Sequence, residues 1–384
     1  MPVTIRAKTG EDVQPGGTAL FGSLESLRSI CALVVALFHV TWTNHFLRLP
    51  GIDRAWTFVD FFFVLSGFVI SNAYLGKINT SGDARDFMIK RLFRLYPLHI
   101  VTLIGVGALQ FVSWKMLGRA DPFGSNWQVL IALNLTLSHA IGLSSGAILN
   151  VPSWSISVEL YAYMLFCLIG LVGRSPRIRA TILALCVAVS LFALVTANPD
   201  YGLSTPANTS LARGVFGFSL GCFITVFRQN FVLRVSGWFA DAVIAVIAAV
   251  IIAMMTLNGE HSHFLFWLPL VFGMFILALT CSHGSRLVAF LEMRIFRQFG
   301  MISYSIYMNH VFILMLFSFV AGRIASGPKI VAEHGQLHAI PLLTGDILVA
   351  GFIIVLLASS WVTYRLIENP GRSLGRRITK SGLR

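Results

Sequence analysis

The sequence predicts an all-α, polytopic membrane bundle, and three observations carry that expectation. The 384-residue chain is 56% hydrophobic and only 12% charged, where a soluble domain is roughly a quarter charged. It contains about ten apolar runs of the ~20 residues that a membrane-spanning helix needs. Its basic residues also crowd onto alternate connections between those runs. A mean hydropathy of +0.78 would leave a soluble protein with large exposed apolar patches, so lipid is the natural solvent.

The runs lie near 26–46, 57–75, 97–116, 153–173, 180–197, 210–227, 238–257, 264–282, 300–321 and 344–366. The first opens at Arg28 and carries His39 eleven residues later. That separation is ~16 Å along a helix and close to three full turns, so the two share a face. An ionisable group inside a span is costly and is a candidate for function, while polar contacts between helices also serve packing alone. The second run opens Asp60-Phe61-Phe62-Phe63-Val64-Leu65-Ser66-Gly67-Phe68. Asp60 falls towards the outer face, as a functional group or a helix cap, and Ser66-Gly67 permits close helix approach. Lys90, Arg91 and Arg94 precede the third run. Arg91 and Arg94 are three apart, hence neighbours on a helix surface, and suit either a phosphate clamp or a topological anchor.

The fourth run begins Pro152-Ser153-Trp154-Ser155 and carries Glu159 at a depth like that of His39. A buried carboxylate and a histidine at matching depth form an acid/base candidate. Arg213 opens the sixth run. The ninth is rich in hydroxyls, with Ser303, Tyr304, Ser305 and Tyr307 ahead of His310, and Glu368-Asn369-Pro370 closes the tenth. The stretch 127–148 is interrupted by Gly142, Ser144, Ser145 and Gly146, and is read as re-entrant or interfacial. Gly217-Phe218-Ser219-Leu220-Gly221 fits G-x-S-x-G, but a nucleophile elbow needs a strand–turn–helix, and this one lies inside a membrane run.

With both termini cytoplasmic, 22 of the 29 basic residues fall on the inner side, as the positive-inside rule requires. The net charge of +13 is therefore topological, and nucleic-acid binding is not inferred. The five cysteines lie in apolar runs without metal-ligand spacing and read as small hydrophobes. No metal site, internal repeat or cleavable signal peptide is recognised. The division expected is a flexible cytoplasmic tail over 1–23, a membrane domain over 24–370 and a basic cytoplasmic tail over 371–384.

Taken together, Arg28 with His39, the Asp60–Phe68 stretch, the Arg91/Arg94 pair, Trp154-Ser155 with Glu159, and Ser303–Tyr307 with His310 resemble the membrane acyltransferase-3 family. That family includes bacterial O-antigen, exopolysaccharide and Nod-factor acyltransferases, and the resemblance runs from Leu24 to about Pro370. It implies a multi-pass enzyme of the bacterial inner membrane. The enzyme would move an acyl group from cytoplasmic acyl-CoA to a hydroxyl of an exported glycan that could be lipid-linked. Acetyl is the first expectation for that group and succinyl the alternative. By the same resemblance His39 is the essential histidine, Arg28 its partner at the cytoplasmic end, and Glu159 an acidic functional position. Arg91 and Arg94 handle acyl-CoA, with Lys90 nearby. Asp60 joins Glu159 as a candidate to orient the imidazole or bind sugar. Ser303, Tyr304, Tyr307, His310, Arg213 and Trp154 are candidates for the acceptor or the oxyanion. Some relatives add an extracytoplasmic esterase-like domain, which is not expected here because only Gly371–Arg384 follow Pro370. A transporter or flippase for a lipid-linked glycan is the competing reading. The oligomeric state, the sugar and the role of His39 as base or acyl carrier are left open.

Overall fold

The computed structural model describes residues 3–7, 22–143, 149–197, 207–257, 263–325, 328–332 and 335–381. The chain is a polytopic helical membrane bundle. Among the described residues, nine helices are long and apolar enough to cross a membrane. The bundle begins with α1 (Gly22–Phe38), α2 (Phe58–Tyr74) and α3 (Ser81–Leu117). Next come α4 (Trp127–Leu135), α5 (Ser153–Val172), α6 (Pro176–Ala197), α7 (Ala207–Asn230), α8 (Gly237–Thr256) and α9 (Leu268–Cys281). The short α10 (Arg286–Leu291) and α11 (Arg294–Met301) lead into α12 (Ser303–Ile324), and α13 (Leu342–Thr363) and α14 (Asn369–Ser381) end the fold.

Four local features refine the hydropathy map. Helix α1 ends at Phe38, short of the expected 46, so His39 sits in the turn beyond it. Thr41-Trp42-Thr43 is a poor helix sequence, and its polar groups are taken elsewhere. Trp42 Nε1 donates to Gly345 O at 3.1 Å, and the backbone of Thr41 and Thr43 exchanges hydrogen bonds with His338. Helix α3 runs unbroken through Pro97, so the basic segment before the third run is part of the same helix. Its start is fixed by a capping box between Thr80 and Asp83. Helix α4 has nine residues, ~14 Å long, too short for a ~30 Å hydrocarbon core; residues 144–148 lie outside the described set. Finally, Val3–Ala7 within the expected tail forms strand β1, antiparallel to β2 (Phe231–Ser236), which pairs with β3 (Ser282–His283). Strands β4 (Ile330–Ala332) and β5 (Gly335–Leu337) form a separate hairpin.

Glycines set the closest crossing, that of α2 on α7. A Cβ on Gly67 would stand 1.9 Å from Phe218 O, and one on Gly221 would stand 2.0 Å from Val64 O. Gly217 meets Phe63 Cβ at 2.8 Å on the same construction. The Gly217–Gly221 motif is thus a small-residue helix contact, with Ser219 fully buried in it. This crossing holds Ser66 against α5, where it reaches Glu159. Gly67→Ala is expected to force the two helices apart and to destabilise the bundle by about 1–3 kcal/mol. A thermal midpoint in detergent equal to that of the wild type would contradict the assignment.

Candidate functional site: a basic cavity at the end of the bundle

Helix periodicity gathers the site. On α5, Ser155, Glu159 and Tyr163 recur at intervals of four and share one face. On α12, Ser303, Tyr304 and Tyr307 occupy the first two turns. Both faces line a cavity of about 300 Å³ that also receives Arg28 from α1, Ser66 from α2, Arg94 from α3 and Arg372 from α14.

Glu159 is tightly held. It accepts a hydrogen bond from Ser66 Oγ at 2.7 Å and a short one from the Tyr163 hydroxyl. The Tyr307 hydroxyl is 2.9 Å from Ser155 Oγ, and the Tyr304 hydroxyl donates to Leu95 O at 2.6 Å. Tyr307 also connects the cavity to two histidines. The His310 ring lies 5.7 Å from the Tyr307 ring and 5.0 Å from the His39 ring. A carbonyl oxygen can only accept, so the hydrogen bonds to Val35 O at 2.8 Å and Tyr307 O at 2.6 Å place the proton of each neutral imidazole on Nδ1. Each Nε2 is then the basic nitrogen, and that of His310 is buried without a hydrogen-bond partner.

Of the residues singled out from the sequence, Arg28, Arg94, Glu159, Ser303, Tyr304 and Tyr307 converge on the cavity. His39 and His310 stand behind Tyr307 and are not part of the lining. Lys90 and Arg91 do not line it either. The Arg91 guanidinium lies among the rings of Tyr74, Phe87 and Tyr163, at 5.5, 5.4 and 5.9 Å. Asp60 and Arg213 find each other. Nε and Nη2 of Arg213 donate to Oδ1 and Oδ2 of Asp60 at 2.6 and 2.9 Å, and the guanidinium rests on Trp56 and Trp154 at 4.8 and 5.3 Å. Asp60, Arg213 and Trp154 therefore clamp α2, α5 and α7 away from the cavity lining.

Four residues of the constellation were missed as functional groups. Ser66 read as packing, Glu368 as the close of a span, and Arg372 as a topological charge; Tyr163 was not singled out. The i,i+4 spacings Glu159–Tyr163 and Glu368–Arg372 were the available signals. Among the described residues, no group of three His, Cys, Asp or Glu side chains could hold a metal ion.

A family model described as an acyltransferase domain matches residues 21–365. The acyltransferase MdmB of Streptomyces mycarofaciens is 30% identical over 206 residues, covering 50% of this chain and 49% of its own. The peptidoglycan O-acetyltransferase OatA of Listeria monocytogenes is 25% identical over 324 residues, 77% of this chain and 49% of its own. Protein 2 in the picA locus of Rhizobium radiobacter is 28% identical over 190 residues, 46% of this chain and 94% of its own. The chain thus spans about half the length of the two relatives with named activities. No solved structure matches.

The Asp60–Arg213 pair generates a stability prediction. Asp60→Ala removes the bidentate carboxylate from a guanidinium that stays buried, and is expected to destabilise the protein by about 3–5 kcal/mol. Replacing both residues with leucine should recover much of the loss. Thermal unfolding of the purified variants checks this, and a single variant as stable as the wild type would show that the pair does not secure the bundle.

Proposed function

Because the chain belongs to the family that this acyltransferase model describes, we propose that it is a membrane-bound O-acyltransferase. It would transfer an acyl group from acyl-CoA to a hydroxyl of a bacterial cell-surface glycan. The observation that carries the reading is one continuous arrangement: guanidiniums of Arg28 and Arg94 on the cavity, then Tyr307, then the paired rings of His310 and His39. Guanidiniums suit phosphates, and a base two rings further in suits a thioester at the end of a long, thin arm.

In the proposed reaction, Nε2 of His39 takes the proton from the acceptor hydroxyl as its oxygen attacks the thioester carbonyl. A C–O bond forms, and the carbonyl π electrons move to its oxygen. The hydroxyl of Tyr307 or Ser155 stabilises that oxyanion. The intermediate then collapses with cleavage of the C–S bond, and the imidazolium returns its proton to the departing thiolate. Glu159, fixed by Ser66 and Tyr163, orients the reacting groups on the cavity side. In a two-step variant His39 carries the acyl group before the glycan accepts it. The basic end of the bundle would face the cytoplasm of a bacterial inner membrane, with the glycan, free or lipid-linked, approaching from the other side. Acetyl is the favoured group, a choice supported by the name of the Listeria relative.

The test is slow hydrolysis of acetyl-CoA and succinyl-CoA by purified protein. His39→Ala is expected to lower turnover by roughly 10²–10⁴-fold with folding unchanged, and retained turnover would remove His39 from the chemistry. A flippase would turn over neither thioester. Arg94→Ala should raise KM for acyl-CoA more than Arg91→Ala, because only Arg94 lines the cavity. Equal effects would mean that both arginines reach the donor.

A further inference from the structure

The cavity has a third guanidinium, from a segment the sequence assigns to a tail. Arg372 lies beyond residue 365, where the family match ends, yet it lines the same cavity as Arg28 and Arg94. Local structure brings it there. The chain leaves α13 through a π-helical turn, Tyr364–Glu368, a feature frequent at functional sites. Helix α14 then lies along α3 at Pro97. Proline has no N–H, so the carbonyl of Phe93, four residues earlier, loses its helical donor. Gly371 packs on that carbonyl: a Cβ there would stand 2.7 Å from Phe93 O and 2.9 Å from Pro97 Cγ. Gly375, a turn later, is as close to Phe93 Cβ, at 2.8 Å. Two glycines thus let α14 approach α3 closely enough to bring Arg372 into the cavity that Arg94 lines.

The guanidinium is held but not saturated. Glu368 is fully buried, and its Oε1 lies 2.6 Å from Arg372 Nη2. Its Oε2 accepts from Ser305 Oγ at 2.8 Å, which fixes the carboxylate to α12. Arg372 Nε is buried without a hydrogen-bond partner, as is Arg94 Nε. A guanidinium has five N–H donors in a rigid fork, so one carboxylate oxygen leaves the fork with capacity for a second anion. Arg91 Nε is also buried without a hydrogen-bond partner, but its guanidinium lies among aromatic rings and does not line the cavity.

Resting on the acyl-CoA reading above, we propose that Arg372 binds the donor's phosphates. With Arg28 and Arg94 it completes an anion site of three guanidiniums contributed by three helices. Glu368 is its counter-ion. The ligand class is a nucleotide carrying a pyrophosphate or phosphomonoester. The cavity, at about 300 Å³, sits at the small end of the range for small-molecule sites. It suits the slender pantetheine arm, with the phosphates held at the arginines.

The experiment compares kcat/KM for hydrolysis of acetyl-CoA and of S-acetylpantetheine, which lacks the nucleotide and phosphates, using full-length protein in detergent. Arg372→Gln is expected to lower the value for acetyl-CoA by roughly 10–100-fold and that for S-acetylpantetheine far less. Arg372→Lys, which keeps the charge but loses the fork, should recover part of the loss. An equal fall with both donors would show that Arg372 only holds α14 in place, and an unchanged value for acetyl-CoA would put the phosphates elsewhere; either overturns the proposal. A folded wild-type protein that turns over neither donor would instead remove the acyl-CoA reading on which the proposal rests.

Discussion

A guanidinium keeps its charge at any physiological pH, so inside an apolar bundle it must be answered by a carboxylate, by aromatic faces or by a ligand. Much of this structure follows from how four arginines meet that requirement. Arg213 is answered twice, by both oxygens of Asp60 and by two tryptophan faces. Arg91 is answered by three rings. Arg372 has one contact from Glu368 and keeps a buried Nε without a hydrogen-bond partner. Arg94 likewise has such an Nε on the cavity. The first two arrangements set the charge against groups of the protein and so hold helices together, although Arg91 Nε too is buried without a hydrogen-bond partner. The last two leave hydrogen-bonding capacity on the cavity itself, which is what a binding site for an anion requires.

The same division explains why charged residues with similar sequence credentials separate in space. Asp60 and Glu159 are both acidic groups within apolar runs. Asp60 accepts both donors of a bidentate arginine at 1% side-chain exposure, so both of its oxygens are committed within the protein. Glu159 accepts from two hydroxyls, neutral donors that orient a carboxylate without neutralising it. Glu159 lines the cavity, and Asp60 does not.

Those properties determine what could be read from the chain. The bundle was legible, because lipid demands apolar runs of fixed length and the positive-inside bias orders them. Arg28, Arg94, Glu159 and the Ser303–Tyr307 face were legible as a set, since each stands out against an apolar background. Helix ends were not. Hydropathy continues past Phe38, but the end of α1 is decided by hydrogen bonds from residues 41–43 to residues more than 290 positions away. Pairing was not legible either, as Asp60 and Arg213 are 153 residues apart. Arg372 was hidden for a different reason. A basic residue just beyond a span is what topology predicts, so its charge carried no surplus information until α14 was seen packed on α3.

The histidine pair shows how helix ends allocate roles between like groups. His39 and His310 both give their Nδ1 proton to a carbonyl within their own segment, so both present Nε2 as the basic nitrogen. Their positions differ. His310 lies inside α12 and is 0% exposed, whereas His39 lies in the turn just beyond the end of α1 and is only partly buried. In the proposed reaction a hydroxyl of an incoming glycan has to approach the base, and a group within a packed helix offers no approach. His39, released from the helix by one residue, can be reached. With its ring against that of His39, His310 is better placed to hold the proposed base in position than to meet the substrate. In the proposed reaction the early end of α1 thus has a part, because it leaves His39 in a turn rather than within a packed helix.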